Sequence, residues 1–211
     1  MMNKRRAALG AMAAVAALSS AGCAPLLVGG AVAGGAMVAT DRRAAGIQLL
    51  DQEIELRLAK ALGDAFPGDR AHINVTSYNQ RVLLTGEVAT EQGKAEAQAI
   101  AQKAENVRAV VNELHVGSPS TLANRNFDTA LTAKVLTALL QASDVPSGAI
   151  KVVSERAVVY LMGRVTPGEG EAAARAASRV SGVQRVVKIF DYLTEKEATD
   201  AAKPAAGAQS N

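Results

Sequence analysis

The second half of the chain repeats the apolar pattern of the first half, and this repeat constrains the fold more than any other feature. When Asp51 is set against Asp128 and that offset is kept, apolar residues coincide and Gly86 meets Gly163. The aligned apolar pairs are Ile54 with Leu131, Leu58 with Val135, Leu62 with Leu139, Ile73 with Ile150, Val75 with Val152, Val82 with Val159 and Leu84 with Leu161. The charges between them do not coincide, so the repeat preserves a core and not a catalytic site. Two units of about 70 residues are too few for a solenoid but large enough to close two small cores, which predicts two similar domains in tandem.

Each unit shows the order α-β-β-α-β. In the first unit, apolar residues at helical spacing predict a helix from Ile47 that ends before Pro67-Gly68. Two strands (72–77 and 81–87), a helix at 90–104 with Thr90 as its N-cap, and a strand at 107–116 follow. In the second unit the same order is predicted at 127–141, 149–154, 157–164, 167–180 and 184–193, with Gly182 as a left-handed cap.

The predicted fold class is α+β, with two domains that each carry a three-stranded mixed sheet and two helices on one face. The domain boundaries are placed at 47–117 and 126–194, with a linker at 118–125. Residues 195–211 contain Ala, Lys, Thr, Pro, Gly and Ser and few large apolar side chains. That composition predicts a disordered tail.

The N-terminal 22 residues have the features of a secretory signal. Lys4, Arg5 and Arg6 precede a short apolar stretch at 7–18, which is too short to span a membrane. Cys23 is the single cysteine of the chain and cannot form an internal disulfide. Ala21-Gly22-Cys23 resembles the lipobox of bacterial lipoproteins, although Ser20 stands where Leu is commoner; the alternative is an incidental cysteine. The resemblance implies acylation of Cys23, and Ala24 in place of an aspartate implies sorting to the outer membrane.

Residues 23–46 link that cysteine to the first domain. Residues 24–40 are rich in Ala, Gly and Val and are slightly short for a membrane span. We interpret them as a flexible tether beside the lipid, with an interfacial helix as the alternative.

The charge of the mature chain is close to zero. The sequence holds 23 Lys and Arg against 20 Asp and Glu, and the signal residues Lys4, Arg5 and Arg6 account for the excess. No global charge therefore indicates nucleic-acid binding. The charge is unevenly shared, because residues 47–117 hold seven basic and ten acidic side chains, whereas residues 126–194 hold eight basic and six acidic. The second domain is the better candidate for an anionic surface.

Catalytic and metal-binding patterns are not found in the sequence. His72 and His115 fall on predicted strands without a cysteine or carboxylate cluster at metal-ligand spacing, so satisfied or solvated histidines are expected. The segment 163–168 lacks the lysine and the length of a phosphate-binding loop. Gly86 and Gly163 are expected to mark a bulge or the close approach of a helix. The chain is predicted to have no catalytic residues, no cofactor and no metal, and not to be an enzyme.

Two strand motifs resemble the BON domain of bacterial envelope proteins. They are the segments 82–88 (VLLTGEV) and 159–165 (VYLMGRV), together with the paired valines at 107–112 and 183–187. Residues 40–51 also resemble the entry to the first domain of outer-membrane lipoproteins with two BON domains. The resemblance covers residues 1 to about 194. It implies a lipid-anchored protein at the periplasmic face of the outer membrane that binds anionic phospholipid through its second domain. It also implies a role in outer-membrane integrity, often linked to the division site.

The first helix of the second domain is the expected lipid-binding element. Phe127, Leu131 and Lys134 are the candidate residues, because lipid headgroups require exposed cations beside apolar side chains that enter the interface. Core packing is the alternative for the apolar candidates, and for Leu131 it is the preferred one, so Phe127 and Lys134 are the better surface candidates. The resemblance implies an aromatic residue near Ala130, and Phe127 is the candidate to replace it. Two further hypotheses are an adaptor for an envelope-assembly or cell-wall-remodelling protein, and a hydrolase of unrecognised type.

Overall fold

The computed structural model describes residues 41–68 and 71–202. The predicted signal segment, Cys23, most of the tether and residues 203–211 of the predicted tail lie outside the described residues. Along the chain the elements are α1 (Ala45–Ala65), β1 (His72–Tyr78), β2 (Arg81–Val88), α2 (Glu91–Lys103), β3 (Ala109–Asn112), β4 (His115–Val116), α3 (Leu122–Gln141), a 3₁₀ turn (Ser147–Ala149), β5 (Ile150–Glu155), β6 (Val158–Val165), α4 (Pro167–Ser178), β7 (Arg185–Tyr192) and α5 (Glu195–Ala201).

Both halves form the predicted α-β-β-α-β unit with a mixed sheet, which confirms the α+β fold class. In the first sheet β2 is central, antiparallel to β1 and parallel to β3 and β4. In the second sheet β6 is central, antiparallel to β5 and parallel to β7. The third strand of the first unit is interrupted at Asn112, where the side chain replaces ladder bonds by donating to the Lys94 carbonyl and accepting from the Leu114 amide.

Two helices extend into segments for which the sequence predicted no regular structure. Helix α3 begins at Leu122, inside the predicted linker, because the Thr121 hydroxyl accepts a hydrogen bond from the Asn124 amide and caps the helix. Helix α5 occupies the start of the predicted tail. Thr194 and Glu197 form a capping box there, and Ala198 is buried. Both helices begin directly after a threonine, Thr121 or Thr194, which is a favoured N-cap residue and is visible in the sequence.

The central strand of each sheet points alternate side chains into the core beneath its own two helices. In the first domain Val82, Leu84 and Val88 meet the helices, and in the second Val159, Leu161 and Val165 do so. The helical partners are Ile54, Leu58, Leu62, Ala97 and Ala101 in the first core, and Leu131, Val135, Leu139, Ala173 and Ala177 in the second. These are the apolar positions that the repeat aligns.

The other face of each sheet packs against the sheet of the other domain. Tyr78, Leu83, Tyr160, Met162 and Ile189 form a third buried cluster, shared by the two domains. Strands β2 and β6 are therefore covered on both faces, which explains why nearly every residue in them is buried. The sequence predicted two cores and did not anticipate this third one.

Polar contacts surround the shared cluster. The Tyr78 hydroxyl donates to the Ala149 carbonyl at 2.9 Å, and the guanidinium of Arg43 lies 4.0 Å from the centre of the Tyr78 ring. Burial raises the pKa of the Tyr78 phenol above its ordinary value, so it stays a neutral donor. Arg42 donates two hydrogen bonds to Glu169, at 2.6 and 2.7 Å. The segment that precedes α1 thereby contacts both domains.

A second set of polar contacts joins the first hairpin and α1 to strands β7 and β5 of the second domain. Asp191 accepts from Asn79 at 2.8 Å and from Arg81 at 2.7 Å. Burial by itself would raise the pKa of Asp191, but these two hydrogen bonds bring it below its ordinary value. Lys151 donates to Glu55 at 2.7 Å. Together with the shared cluster, these contacts hold the two domains together.

A buried aspartate in the first helix of each domain stabilises the tight turn of that domain's hairpin. Asp51 accepts from the amides of Asn79 and Gln80, both at 2.7 Å. Asp128 accepts from the amides of Arg156 and Ala157, at 2.8 and 2.9 Å. All four turn residues have positive φ, as a type I′ turn requires, although only asparagine among them favours it. The carboxylate offsets that strain and ties the hairpin to the helix.

The two aligned glycines allow close contact between strand backbones. A Cβ on Gly86, which has φ +105°, would lie 1.9 Å from the His72 carbonyl oxygen. A Cβ on Gly163 would lie 2.7 Å from the Ala149 carbonyl oxygen. The neighbour is the backbone at the start of the adjacent strand in both domains. The strand register is also uninterrupted at both glycines, so the expected bulge or close approach of a helix is wrong.

Truncating the central leucine of either core should destabilise the protein. Leu84→Ala and Leu161→Ala each leave a cavity at a fully buried site, which typically costs about 2–5 kcal/mol. Chemical denaturation followed by circular dichroism measures the loss. Leu56→Ala and Leu122→Ala, at exposed helical positions, are the matched controls. If the controls lost as much stability as the core variants, the assignment of the two cores would be wrong.

Removing the buried carboxylate should destabilise the second hairpin. Asp128→Ala leaves the amides of Arg156 and Ala157 without their charged acceptor, which should cost about 3 kcal/mol or more. Asp128→Asn retains one acceptor oxygen and should lose less. Asp144→Ala, an exposed aspartate of the same domain, is the control. Equal denaturation midpoints for Asp128→Ala and Asp144→Ala would contradict a stabilising role for the turn contact.

Candidate membrane-binding surface

Helix α3 turns one side into the core of the second domain. The buried residues are Asp128, Leu131, Val135 and Leu139, which recur every three or four positions as one side of a helix requires. Leu131 is only 1% exposed and packs beneath the sheet. Its prediction as a lipid-contacting residue is therefore wrong, because its spacing places it on the core side of α3.

Phe127 and Lys134 lie on an outer side of α3. They are about two helical turns apart, so they project in similar directions. Phe127 is 48% exposed, and Lys134 is exposed. The ring of Phe127 rests against Gly182, where a Cβ would lie 3.0 Å from Cζ. Gly182 has φ +102° and takes the left-handed conformation predicted for it. The ring is thus supported on one side and open to solvent on the other.

The helices of the second domain carry exposed cations that form no close ion pair in the described part of the chain. Lys134 on α3, Arg175 on α4 and Arg179 at the end of α4 are exposed and form no ion pair within residues 41–68 and 71–202. The acidic side chains of these helices are already engaged. Asp128 binds the hairpin turn, Glu169 pairs with Arg42, and Glu171 pairs with Lys188 at 2.6 Å. The outer surface of the two helices is therefore basic, and we call it the basic helical face.

The corresponding helices of the first domain differ in charge. Arg57 and Lys60 on α1 pair with Glu53 and Asp64 on the same helix. On α2, Glu91 and Glu96 are exposed beside Lys94 and Lys103. This surface offers no excess of positive charge, in agreement with the charge difference between the two halves of the sequence.

Two exposed leucines on α3 were not selected from the sequence. Leu122 is 73% exposed and Leu140 is 58% exposed. About five helical turns separate them, so they share one side of the helix, which differs from the side of Phe127 and Lys134. The sequence could have identified Leu140 as exposed. Leu139 occupies a core position in the helical spacing, so the next residue, Leu140, points away from the core.

His72 lies in an environment that the sequence analysis did not expect. It stands opposite Glu87 in the β1–β2 pair, with Nδ1 3.4 Å from the Glu87 carboxylate. Glu155 at the end of β5 approaches the same point from the second domain. The Nδ1 atom is buried and has no hydrogen-bond partner in the described part of the chain. His72 therefore lies beside two carboxylates that no spacing along the sequence groups with it. His115 is exposed on β4.

The predicted membrane anchor cannot be located in the structure, and the described helices do not replace it. Cys23, the predicted lipidation site, lies outside the described residues. In the described part of the chain, none of the helices combines the length and the apolar character needed to cross a membrane.

A groove of about 630 Å³ lies between the domains beside Phe127, with Arg156, Arg185 and Glu113 among its lining residues. Its mixed charge selects neither anions nor cations.

Comparison with known proteins identifies the same domain twice in this chain. The BON domain matches residues 50–118 and residues 127–193. Outer membrane lipoprotein DolP of Haemophilus influenzae is 40% identical over 174 residues, which cover 82% of this chain and 89% of that protein.

Two further relatives are similar over shorter lengths. The 21 kDa hemolysin of Actinobacillus pleuropneumoniae is 35% identical over 154 residues, covering 72% of this chain and 79% of that protein. Osmotically-inducible protein Y of Escherichia coli is 30% identical over 139 residues, covering 64% of this chain and 69% of that protein.

Proposed function

The chain belongs to the BON-domain family and carries two BON domains, and from that premise we propose that it is a lipid-anchored outer-membrane protein whose second BON domain binds anionic phospholipid. The observation that carries the proposal is the basic helical face, where Lys134, Arg175 and Arg179 are exposed and form no close ion pair with the described residues. The Haemophilus relative is named an outer membrane lipoprotein, which supports the proposed location.

The proposed contact combines charge with a small apolar insertion. Exposed cations near an anionic bilayer contribute about 1 kcal/mol each, so the basic helical face attracts phosphate headgroups. Phe127 then enters the interfacial region, because its ring is half exposed and is supported by Gly182. One aromatic ring and a few cations give weak binding by themselves. In this proposal the acylated Cys23 keeps the domain near the membrane, so that a weak contact is sufficient.

The domain arrangement is compatible with such a contact. The sheets face each other, so the helices of both domains form outer surfaces of the molecule. A bilayer can then meet α3 and α4 without separating the domains. The proposed function requires no catalytic step, and supporting outer-membrane integrity at the division site is a part of the proposal that rests on the family resemblance.

A protein-adaptor function is the second candidate. The observation in its favour is the set of exposed leucines on the long helices. Leu49 and Leu56 lie about two turns apart on α1, and Leu122 and Leu140 share one side of α3. None of these four leucines lies on the basic side of α3, and apolar surface of this kind is typical of protein contacts. The partner in this reading is an envelope-assembly or cell-wall-remodelling protein.

The lipid anchor is tested by removing the acceptor thiol. Cys23→Ser should abolish acylation, so that the protein is either released into the periplasm or retained as an uncleaved precursor. Membrane fractionation and mass spectrometry of the mature N-terminus measure this outcome. Finding an unmodified cysteine in the mature wild-type protein would rule out the anchor.

The lipid-binding surface is tested by vesicle sedimentation with the fragment from Asp41 to Ala202. This fragment keeps Arg42 and Arg43, which contact the folded domains, and lacks the anchor. Binding should favour anionic over zwitterionic vesicles and should weaken with salt, because exposed charges are screened beyond about 8 Å at physiological ionic strength. Lys134→Glu and Phe127→Ala should each reduce binding without unfolding the protein.

Matched substitutions in the first domain serve as controls. Lys103→Glu reverses an exposed charge on α2, and Leu56→Ala truncates an exposed apolar residue on α1. Both should bind vesicles like the wild type. If the control and test variants lost vesicle binding equally, the lipid-binding proposal would be contradicted and the adaptor favoured. The same would follow if binding did not depend on the salt concentration or on the charge of the lipid.

A further inference from the structure

Three potential metal ligands from both domains meet at one end of the contact between the sheets. His72 and Glu87 face each other across the β1–β2 pair of the first domain. Glu155, at the end of β5, belongs to the second domain. One ligand atom from each of the three side chains lies within 4.8 Å of the other two. The sheet-to-sheet contact assembles this cluster, which we call the interdomain His-Glu-Glu cluster.

Two atoms of the cluster are buried without a hydrogen-bond partner. The Glu87 side chain is 0% exposed, and its Oε2 atom accepts no hydrogen bond in the described part of the chain. The same holds for Nδ1 of His72, which lies 3.4 Å away. A buried polar atom without a partner typically costs about 1–3 kcal/mol, and more when it is charged. The two atoms lie 3.4 Å apart, so they pair directly when the imidazole is protonated and can share a bound cation when it is neutral.

The neighbouring cations do not fill that role. Arg156 donates to Oε1 of Glu87 at 3.3 Å, on the other side of the carboxylate from the unpartnered oxygen. The Nε atom of Arg125 donates to Ser120, although its charge acts on Glu155 from a distance. Burial and the nearby Glu87 carboxylate raise the pKa of Glu155. When Nδ1 carries no proton, Nδ1 of His72 and Oε2 of Glu87 can both bind another cation.

We propose that the interdomain His-Glu-Glu cluster binds a divalent transition-metal ion of the zinc class. Zinc takes imidazole nitrogen and carboxylate oxygen at about 2.1 Å, so two ligands in a tetrahedral site stand about 3.4 Å apart. The distance between His72 Nδ1 and Glu87 Oε2 is 3.4 Å. Glu155 supplies the third ligand after a small rotation of its side chain, and water completes the coordination. One imidazole among the ligands favours zinc over calcium, which binds six to eight oxygens.

The surroundings of Glu155 support its role as a ligand. Asn74 on β1 donates to Oε2 of Glu155 at 2.9 Å across the interface. Such a bond orients a metal-binding carboxylate, as outer-shell contacts do in characterised metal sites. Because two ligands come from one domain and the third from the other, the metal would join the domains directly. This inference is independent of lipid binding, since the cluster lies between the sheets and not on the basic helical face.

Direct metal binding by the full chain tests the proposal. The protein is purified in detergent without a histidine tag, carries Cys23→Ser so that no thiol binds metal, and is stripped with a chelator. Titration with ZnCl₂ followed by calorimetry and elemental analysis should show one zinc ion per chain. Zinc should also raise the thermal unfolding midpoint, because a ligand that binds only the folded state stabilises it. Equimolar CaCl₂ should do neither.

Substitutions of the three ligands identify the site. His72→Ala, Glu87→Gln and Glu155→Gln should each weaken zinc binding by about tenfold or more and remove the zinc-dependent rise in midpoint, because losing a ligand costs at least as much as losing an outer-shell partner. His115→Ala removes the exposed histidine on β4 and should leave both readouts unchanged. Circular dichroism verifies that each variant is folded.

Three results would overturn the proposal. The first is Cys23→Ser protein that keeps all three ligands and yet retains no zinc at micromolar concentration. The second is unchanged zinc affinity in the folded His72→Ala variant. The third is an equal loss of zinc in His115→Ala, which would indicate adventitious binding to surface histidine.

Discussion

Packing of the two sheets against each other, through Leu83, Tyr160 and Met162, covers the side of each sheet that its own helices leave open. A three-stranded sheet with helices on one face alone would expose the apolar side chains of the opposite face to water, at a cost of about 25 cal/mol per Å². In this chain the partner for that face is the other copy of the same fold. The contact therefore determines where all other surfaces lie.

The consequences of that contact extend to the charged groups. It turns the helices outward, so that α3 and α4 form an outer surface on which Lys134, Arg175 and Arg179 make no close ion pair with any described residue. It also brings Glu155 of the second domain to His72 and Glu87 of the first. The proposed lipid surface and the proposed metal site are separate results of one arrangement, because the first lies outside the helices and the second lies between the sheets.

Much of each domain was predictable because the information is local. Apolar residues at spacings of three to four and of two define the helices and strands, and the alignment of Asp51 with Asp128 is explained by the same hydrogen bonds to the hairpin turn in each domain. The candidate site was less predictable. Phe127 and Lys134 were placed on the surface correctly, but the assignment of Leu131 failed, since only the direction of a side chain relative to the core separates it from Phe127.

The sequence by itself determined the two domains, their α-β-β-α-β order, the residues of both helix-facing cores and the difference in charge between the halves. These follow from periodicity and composition, which act over a few residues. Only the tertiary structure decided which sheet faces meet, that His72 and Glu87 stand in register across a strand pair, and that Glu155 joins them. Such contacts depend on strand register and on packing between distant segments, and no spacing along the chain encodes them. The repeat aligns Leu84 with Leu161 because each fills the core of its own domain. It does not align His72 with Glu155, because these two residues meet only when the domains pack together.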